Sequence, residues 1–287
     1  MRMFVVALLI APGMTPAEQA EVSIPFRLTK HNNIVVHAVL NKTDKVNLML
    51  HTAAREVTLT EEGAKKSKSV AFTKSTKVQS WGGEADSRIS PGNRVQLGDW
   101  SRQNMTIWEN KNSGTDTDGK FGLDLFPDKI VEIDFDRSSL LLHQKLPEKV
   151  SKYERLKLVN QDGQLLIEGS CVIDGKTYSH QFLLHTGYSG GILLDDAFAA
   201  RVGVDGKIKI TDESSLKDSF GHTIMIKKGI MPTFLLGSSR MKEVPAGFFA
   251  GAIGNQKISV LGCEVIKQFN LIFDLSKNEL YLAKRQE

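Results

Sequence analysis

A tripeptide that occurs twice constrains this chain more than any other feature. The copies are His51-Thr52-Ala53 and His185-Thr186-Gly187, and each directly follows an apolar run typical of a buried β-strand. A second matching block follows each copy: Gly122 lies 71 positions after His51, and Gly262 lies 77 positions after His185. We therefore interpret the chain as an internal duplication that folds into two similar lobes.

The spacing inside the second blocks supports this interpretation. Asp134 follows Gly122 by 12 positions, and Asp274 follows Gly262 by the same number. Each aspartate is followed by a polar turn and a returning apolar run, which predicts a hairpin with the aspartate at a strand end. Two copies are too few for a solenoid, so a pseudo-symmetric pair of lobes is predicted.

Strand signals dominate the rest of the sequence, and the fold class predicted is mainly β. Ile34–Leu40 and residues 165–173 are rich in β-branched and apolar residues and end in turns. Short helices are predicted over residues 60–66, 195–202 and 263–269. A charged, proline-containing stretch at 144–153 separates an N-terminal lobe, 21–146, from a C-terminal lobe, 147–287.

Composition excludes several functional classes. The 287 residues carry 37 basic and 33 acidic side chains, a net charge of +4, without a long basic block. Nucleic-acid binding is therefore not expected. The two cysteines, Cys171 and Cys263, fit no metal motif and are expected to be buried free thiols.

The N-terminal segment has the pattern of a secretory signal. Arg2 precedes a short apolar run that Pro12 and Gly13 interrupt, and small residues follow that would suit cleavage near position 20. An N-terminal apolar strand and a lipid-free membrane tether are the alternatives. We expect a chain that loses residues 1–20, is secreted or periplasmic, and has no stable membrane insertion once mature.

The four blocks together resemble the active-site elements of aspartic peptidases, and most closely the bacterial retropepsin-like group. Residues 183–190, Leu-Leu-His-Thr-Gly-Tyr-Ser-Gly, match that family's active-site loop except at His185. Residues 121–124 and 261–264 resemble its second conserved element. The resemblance covers residues 22–284. It implies a β-barrel-like lobe in each half, a few short helices, and a cleft that holds an extended polypeptide.

Several residue roles follow from the resemblance alone. The two catalytic aspartates would stand where this chain has His51 and His185, and Ala53 replaces a glycine in the first loop. Thr52 and Thr186 would brace the loops against each other beneath the site. The tips of two hairpins would cover the cleft and contact substrate; these residues are Trp81, Gly82, Phe220 and Gly221. Asp124 and Glu264 are expected to begin short helices. No cofactor is implied, and we expect a monomer.

The two histidines argue against the family's usual chemistry. Paired carboxyl groups share one proton, so that one activates water and the other donates to the scissile carbonyl. A neutral imidazole has one acceptor nitrogen, and a charged one has none. We therefore expect an exported homologue that is inactive as an aspartic peptidase and retains a polypeptide-binding cleft.

Two other functions stay open at this stage. The chain could be an active peptidase that uses histidine or a metal, with His51, His185 and His222 as candidate ligands. It could also be a structural or adhesive envelope protein. Buried histidines that only pack and hydrogen-bond are the alternative to any catalytic or metal role.

Overall fold

The computed structural model describes residues 22–80, 83–249 and 257–286. The predicted signal segment, residues 1–20, and the predicted hairpin-tip residues Trp81 and Gly82 lie outside this part of the chain. Within it the fold is mainly β with a few short helices, as the sequence predicted.

The elements of the N-terminal half are mostly antiparallel strands. The strands are β1 Val22–Leu28, β2 Ile34–Leu40, β3 Asp44–Leu50, β4 Val57–Thr60, β5 Lys74–Ser80, β6 Gly83–Leu97, β7 Trp100–Asn110, β8 Gly119–Phe121, β9 Ile130–Asp134 and β10 Ser139–His143. The helices are α1 Glu61–Lys66 and the 3-10 turns Leu123–Leu125 and Glu148–Lys152.

The C-terminal half has the same kinds of element. The strands are β11 Glu154–Lys157, β12 Val159–Gln161, β13 Gln164–Ile173, β14 Lys176–His185, β15 Ile192–Leu194, β16 Lys209–Lys217, β17 Thr223–Leu236, β18 Ser239–Phe249, β19 Ser259–Gly262, β20 Phe269–Asp274 and β21 Glu279–Lys284. The helices are α2 Asp196–Val202, α3 Cys263–Ile266 and the 3-10 turn Val204–Gly206.

Each half contains a closed six-stranded barrel. In the N-terminal half the strand order is β2-β3-β8-β4-β7-β6, and pairing between β2 and β6 closes it. In the C-terminal half the order is β13-β14-β19-β15-β18-β17, and pairing between β13 and β17 closes it. Closure removes exposed strand edges and encloses a packed interior.

A further run of strands joins the two halves. Its order is β11-β21-β20-β9-β10-β1, and the central pairing sets β20 of the second half against β9 of the first, with Ile272 opposite Glu132. Asp134 and Asp274 end β9 and β20, where each carboxylate accepts a hydrogen bond from a turn amide three residues on. The strand-end positions predicted for these two aspartates are confirmed.

Local sequence explains where the helices begin and end. Thr60 caps α1 by accepting a hydrogen bond from Gly63, and Asp195 caps α2 in the same way from Phe198. Gly203 ends α2 with φ +70°, a left-handed conformation that glycine adopts without strain. The three predicted helices are present, although the third ends at Ile266 rather than at residue 269.

The interior is apolar and dense with aromatic side chains. The largest fully buried side chains are Phe121, Phe182, Phe198, Phe234, Phe269 and Phe273. Cys171 and Cys263 are free and buried, as expected, and burial raises the pKa of each thiol to about 12. No helix within the described ranges is long and apolar enough to cross a membrane.

Candidate functional site

His51 and His185 meet between the two lobes. Their ring centroids lie 4.3 Å apart, and the ring planes are inclined by 55°. His185 is the last residue of β14, and His51 directly follows β3. Two residues that are 134 positions apart in sequence are therefore in side-chain contact.

Parallel strand pairing fixes where each histidine lies. β3 pairs in parallel with β8, and β14 pairs in parallel with β19, so that His185 lies opposite Gly262. The amide of His51 donates to the carbonyl of Phe121 at 2.9 Å. Because each loop follows a paired strand inside a closed barrel, its backbone has little freedom to move.

Thr52 and Thr186 form a reciprocal brace beneath the histidines. Thr52 Oγ1 donates to the Leu184 carbonyl at 2.6 Å and accepts from the Thr186 amide at 3.1 Å. Thr186 Oγ1 donates to the Leu50 carbonyl at 2.7 Å and accepts from the Thr52 amide at 3.1 Å. Both threonines are buried. The four hydrogen bonds couple the two lobes at the base of the site.

Burial and nearby charge keep both imidazoles neutral. Desolvation and then the charge of Lys120 lower the pKa of His185 to about 4. Desolvation, His185 and Lys120 hold the pKa of His51 well below its ordinary value. Part of each ring reaches the cleft, whereas Nδ1 of both rings is buried with no hydrogen-bond partner among the described residues.

Lys120 is the third functional group of the site. Its side chain is 8% exposed, and desolvation lowers the pKa of the ammonium to about 8 against an opposing effect of Asp218. In β3–β8 pairing Lys120 lies opposite Met49, and in β14–β19 pairing Val260 lies opposite Leu183. Counting back from Gly122 and Gly262 also matches Lys120 with Val260. The first half therefore carries a buried cation where the second carries an apolar side chain.

A hairpin tip from the C-terminal lobe reaches this lysine. The tip comprises residues 218–222, between β16 and β17. Lys120 Nζ donates to Ser219 Oγ at 2.6 Å, and the amides of Lys111 and Asn112 both donate to the Ser219 carbonyl at 2.9 Å. This contact ties the second lobe's hairpin to the first lobe at the wall of the cavity that both histidines line.

Three cavities surround the pair, and Lys120 and Ser219 line all of them. The central cavity, about 330 Å³, contains His51, His185 and Asn33 in its wall. The C-terminal-lobe cavity, about 650 Å³, is lined on its far side by Leu193, Phe249 and Val260. The N-terminal-lobe cavity, about 870 Å³, is lined by Arg55, Glu56, Thr58, Val78, Ser87, Trp108, Glu109, Asn110, Asp124 and Phe220. Together they form a cleft that extends to both sides of the histidines.

The structure places the predicted hairpin-tip residues unequally. Phe220 lines the N-terminal-lobe cavity. Gly221 has a positive φ of +91°, and a Cβ built on it would lie 3.6 Å from Asn112 Nδ2. Trp81 and Gly82 lie outside the described residues. Asp124 and Glu264 lie in the first turns of their short helices, as predicted.

The structure does not bring the three candidate metal ligands His51, His185 and His222 together. His222 Nδ1 lies 2.7 Å from Asp218 Oδ2, and the His222 amide donates to Asp218 Oδ1, so the tip holds this imidazole to its own turn. His222 lines none of the three cavities. Among the described residues, no group of three or more histidine, cysteine, aspartate or glutamate side chains could hold a metal ion.

Serine, histidine and aspartate also meet elsewhere in the C-terminal lobe. His180 Nε2 lies 2.6 Å from Asp195 Oδ2, and Ser259 Oγ donates to the same oxygen at 2.8 Å. Asp195 stands between the other two, and Ser259 is fully buried. Asp195 also caps α2, and its contacts lower the pKa of its carboxyl to about 2 against the effect of burial. The arrangement stabilises the helix start and presents no activated hydroxyl.

Gly187 is required by the histidine beside it. A Cβ built on Gly187 would lie 2.3 Å from His51 Cδ2 and 2.6 Å from Nε2. Such distances are far inside van der Waals contact, so the imidazole would have to move. The glycine of the second tripeptide therefore sets the position of the histidine of the first.

Replacing Gly187 with alanine is expected to displace the His51 ring and to destabilise the fold by roughly 1–2 kcal/mol through overpacking. Chemical denaturation and the NMR signals of the His51 imidazole measure the two effects. Gly206→Ala is the matched control, because nothing lies within 4 Å of a Cβ at that position. An unmoved His51 signal in Gly187→Ala would contradict the predicted displacement.

Comparison with protein families places part of the chain beside a known family. Residues 36–125 match the family model described as Aspartyl protease. The match includes the His51 loop, β8 and Gly122, and it covers about a third of the chain. No curated protein matches the sequence. The N-terminal barrel and its loop are therefore similar to the aspartyl proteases.

Lys120 was not among the site residues predicted from the sequence. A signal was present, because Lys120 interrupts the apolar block 119–123 at the position that Val260 occupies in the second half. A lysine between two buried strand residues is costly unless it has a function or a partner. Ser219 carried no comparable signal, since its contact with Lys120 spans 99 positions.

Proposed function

We propose that this protein is an exported homologue of the aspartyl proteases that binds polypeptide in the cleft between its lobes and does not hydrolyse it by the aspartic mechanism. The contact between the His51 and His185 rings carries this proposal, because they stand at the two loop positions where the resemblance puts aspartates. Export rests on the pattern of residues 1–20.

The chemistry of the pair supports the loss of aspartic catalysis. An aspartic dyad needs one ionised and one protonated carboxyl group at the working pH. Here burial and Lys120 favour two neutral imidazoles, so no charged base faces a protonated acid. Lys120 adds a positive charge where the dyad would hold a negative one.

The retained architecture supports peptide binding. The threonine brace, the two closed barrels and the hairpin over the pair keep the cleft at a defined width. Cavities on both sides of the histidines provide room for side chains of an extended peptide. An extended segment in such a cleft can also pair with backbone groups of its walls.

Restoring the acids tests the proposal. We expect His51→Asp, His185→Asp and Ala53→Gly together to leave activity weak while Lys120 remains, because its ammonium would pair with the new carboxylates and prevent them from sharing a proton. Adding Lys120→Val, the residue at the matching position of the second half, is expected to give cleavage of a peptide library at acidic pH.

The control is the same quadruple variant with asparagine in place of aspartate at position 185, which keeps the fold but removes one acid. Cleavage by that control, or by the unaltered protein with inhibition by a transition-state inhibitor of aspartic peptidases, would contradict the proposal. Binding of library peptides to the unaltered protein without cleavage is the expected result. Neither binding nor cleavage would favour a structural or adhesive envelope role.

One observation favours the alternative of a peptidase with a non-standard site. A lysine whose pKa is lowered to about 8 lies beside two neutral imidazoles, and such a lysine can act as a general base near neutral pH. This alternative predicts cleavage that increases as the pH rises through about 8, that resists inhibitors of aspartic peptidases, and that is lost in Lys120→Met.

A further inference from the structure

The C-terminal-lobe cavity has an unusual combination of charge and apolar surface. Its lining includes Lys120, Lys217 and Lys257 together with His51 and His185. Among the described residues that line it there is no aspartate or glutamate. Asp218, between the lining residues Lys217 and Ser219, is the acid whose charge acts on Lys120, and three cations against this one acid leave a positive potential that favours an anionic group.

The opposite wall of the same cavity is apolar. Leu193, Phe249 and Val260 form, with Ile226, a hydrophobic cluster that is separate from the main core of the protein. Tyr188 and Leu216 pack against this cluster and also line the cavity. The cavity therefore presents apolar as well as cationic side chains to a ligand.

Lys120 is the cation that a bound anionic group of a ligand would contact. The side chain is buried, and the acid that acts on it is Asp218, whose carboxylate also accepts hydrogen bonds from the Phe220 and His222 amides and lies 2.7 Å from the His222 ring. Ser219 Oγ, which accepts a hydrogen bond from Lys120 Nζ, is uncharged. Asp218 offsets only part of the cost of burying this ammonium, since the pKa of Lys120 stays lowered, so a ligand carboxylate that reached Nζ would recover part of the remainder.

The N-terminal-lobe cavity has the opposite character. Glu56, Glu109 and Asp124 line it, against the basic Arg55 and Lys120. Arg88 neutralises Glu109 by an ion pair, so Glu56 and Asp124 are the acids that disfavour a carboxylate on that side, whereas the lysines of the C-terminal-lobe cavity favour one. The charge difference across the histidine pair therefore gives a bound peptide one preferred direction.

We propose that the cleft captures the free C-terminal carboxylate of a peptide whose last residue is apolar. Lys120 receives the carboxylate, and the apolar wall of the C-terminal-lobe cavity receives the last side chain. A carboxylate has about four acceptor positions, so it can also accept from a neutral imidazole N–H of the histidine pair. This inference rests on the proposed function of peptide binding and specifies which peptides bind.

Calorimetric titration of the full mature chain at pH 7 tests the inference. The probes are acetyl-Ala-Ala-Ala-Leu with a free carboxylate and the same peptide as its C-terminal amide. We expect the acid to bind at least about tenfold more tightly, because a charge-assisted hydrogen bond is lost in the amide. In Lys120→Met the ratio of the two affinities is expected to fall to near one.

Lys209→Met is the matched control, because Lys209 is an exposed lysine on β16 that lines none of the three cavities. It is expected to keep the preference for the acid. Should Lys120→Met fail to fold, Lys257→Gln replaces an exposed lysine of the cavity and is expected to reduce the preference about two- to threefold. The comparison of acid with amide on the unaltered protein needs no variant.

The outcomes separate this inference from the proposed function. Equal affinity for acid and amide would overturn the carboxylate capture and leave peptide binding intact. No binding of either probe, while library peptides bind, would overturn the carboxylate capture alone, and no binding of the probes or of the library would overturn both. Tighter binding of dodecanoate than of the peptide acid would identify a fatty acid as the occupant and would also overturn the inference.

Discussion

Replacing Thr52 with valine is expected to lower the free energy of unfolding by about 2–4 kcal/mol. Valine has nearly the same shape but removes the hydroxyl that donates to the Leu184 carbonyl and accepts from the Thr186 amide. Both partners would then be buried without a hydrogen bond, at a cost of about 1–3 kcal/mol each. Thr186→Val is expected to have a similar effect through the Leu50 carbonyl and the Thr52 amide.

Urea unfolding followed by circular dichroism measures this loss, and Thr76→Val is the matched control. Thr76 is an exposed threonine on β5, so its replacement should change stability by no more than about 0.5 kcal/mol. The single changes remove different hydrogen bonds, but each hydroxyl binds the backbone amide of the other loop, so loosening one loop weakens the bonds of the other. The double variant Thr52→Val/Thr186→Val should therefore cost less than the sum of the single changes. Additive losses would contradict a coupled brace.

Acid is expected to destabilise this protein before its carboxylates titrate. The pKa of each site histidine is lowered in the folded state, to about 4 for His185, while the unfolded chain has an ordinary histidine pKa near 6.5. The unfolded state therefore binds more protons between these values, and stability falls as the pH drops from about 6.5 towards 4. The loss for His185 alone is on the order of 2–3 kcal/mol.

A series of urea unfolding curves between pH 7.5 and 4 measures this dependence. The control is His51→Asn/His185→Asn, which keeps polar side chains in both loops and is expected to have a flatter profile over that range. A wild-type profile that stays level between pH 6.5 and 4.5 would contradict the depressed histidine pKa values. Asp195 affects stability at lower pH than the histidines do. Its carboxyl pKa is lowered to about 2 in the folded state, so its contribution to the free energy of unfolding is lost as the pH falls below about 4.

The general architecture could be predicted because its signals are local. Apolar runs that end in turns gave the strands, and Thr60 and Asp195 gave the starts of two helices. The third helix ends earlier than predicted, because Lys267 closes it with a backbone hydrogen bond to Cys263 and the chain then enters β20. A helix of a single turn contains too few residues for the sequence to indicate where it ends.

The sequence predicted only the part of the site that is formed by the repeated tripeptides. The paired tripeptides indicated that His51 and His185 belong together, because equivalent loops of two similar lobes face each other. His222 was assigned to the same site from its position near a hairpin tip, and Asp218 holds it elsewhere. A hairpin signal gives the position of a turn along the chain but not the direction in which each of its side chains points.

The sequence by itself determined the strands, the paired loops and the residue types that stand in them, because hydrophobic periodicity and turn chemistry act over a few neighbouring residues. The tertiary structure alone decided that Lys120 and Ser219 join the histidines, since these residues approach through the packing of two barrels. It also decided the charge of the site. Burial sets the pKa values of His51, His185 and Lys120, and burial depends on the folded chain as a whole.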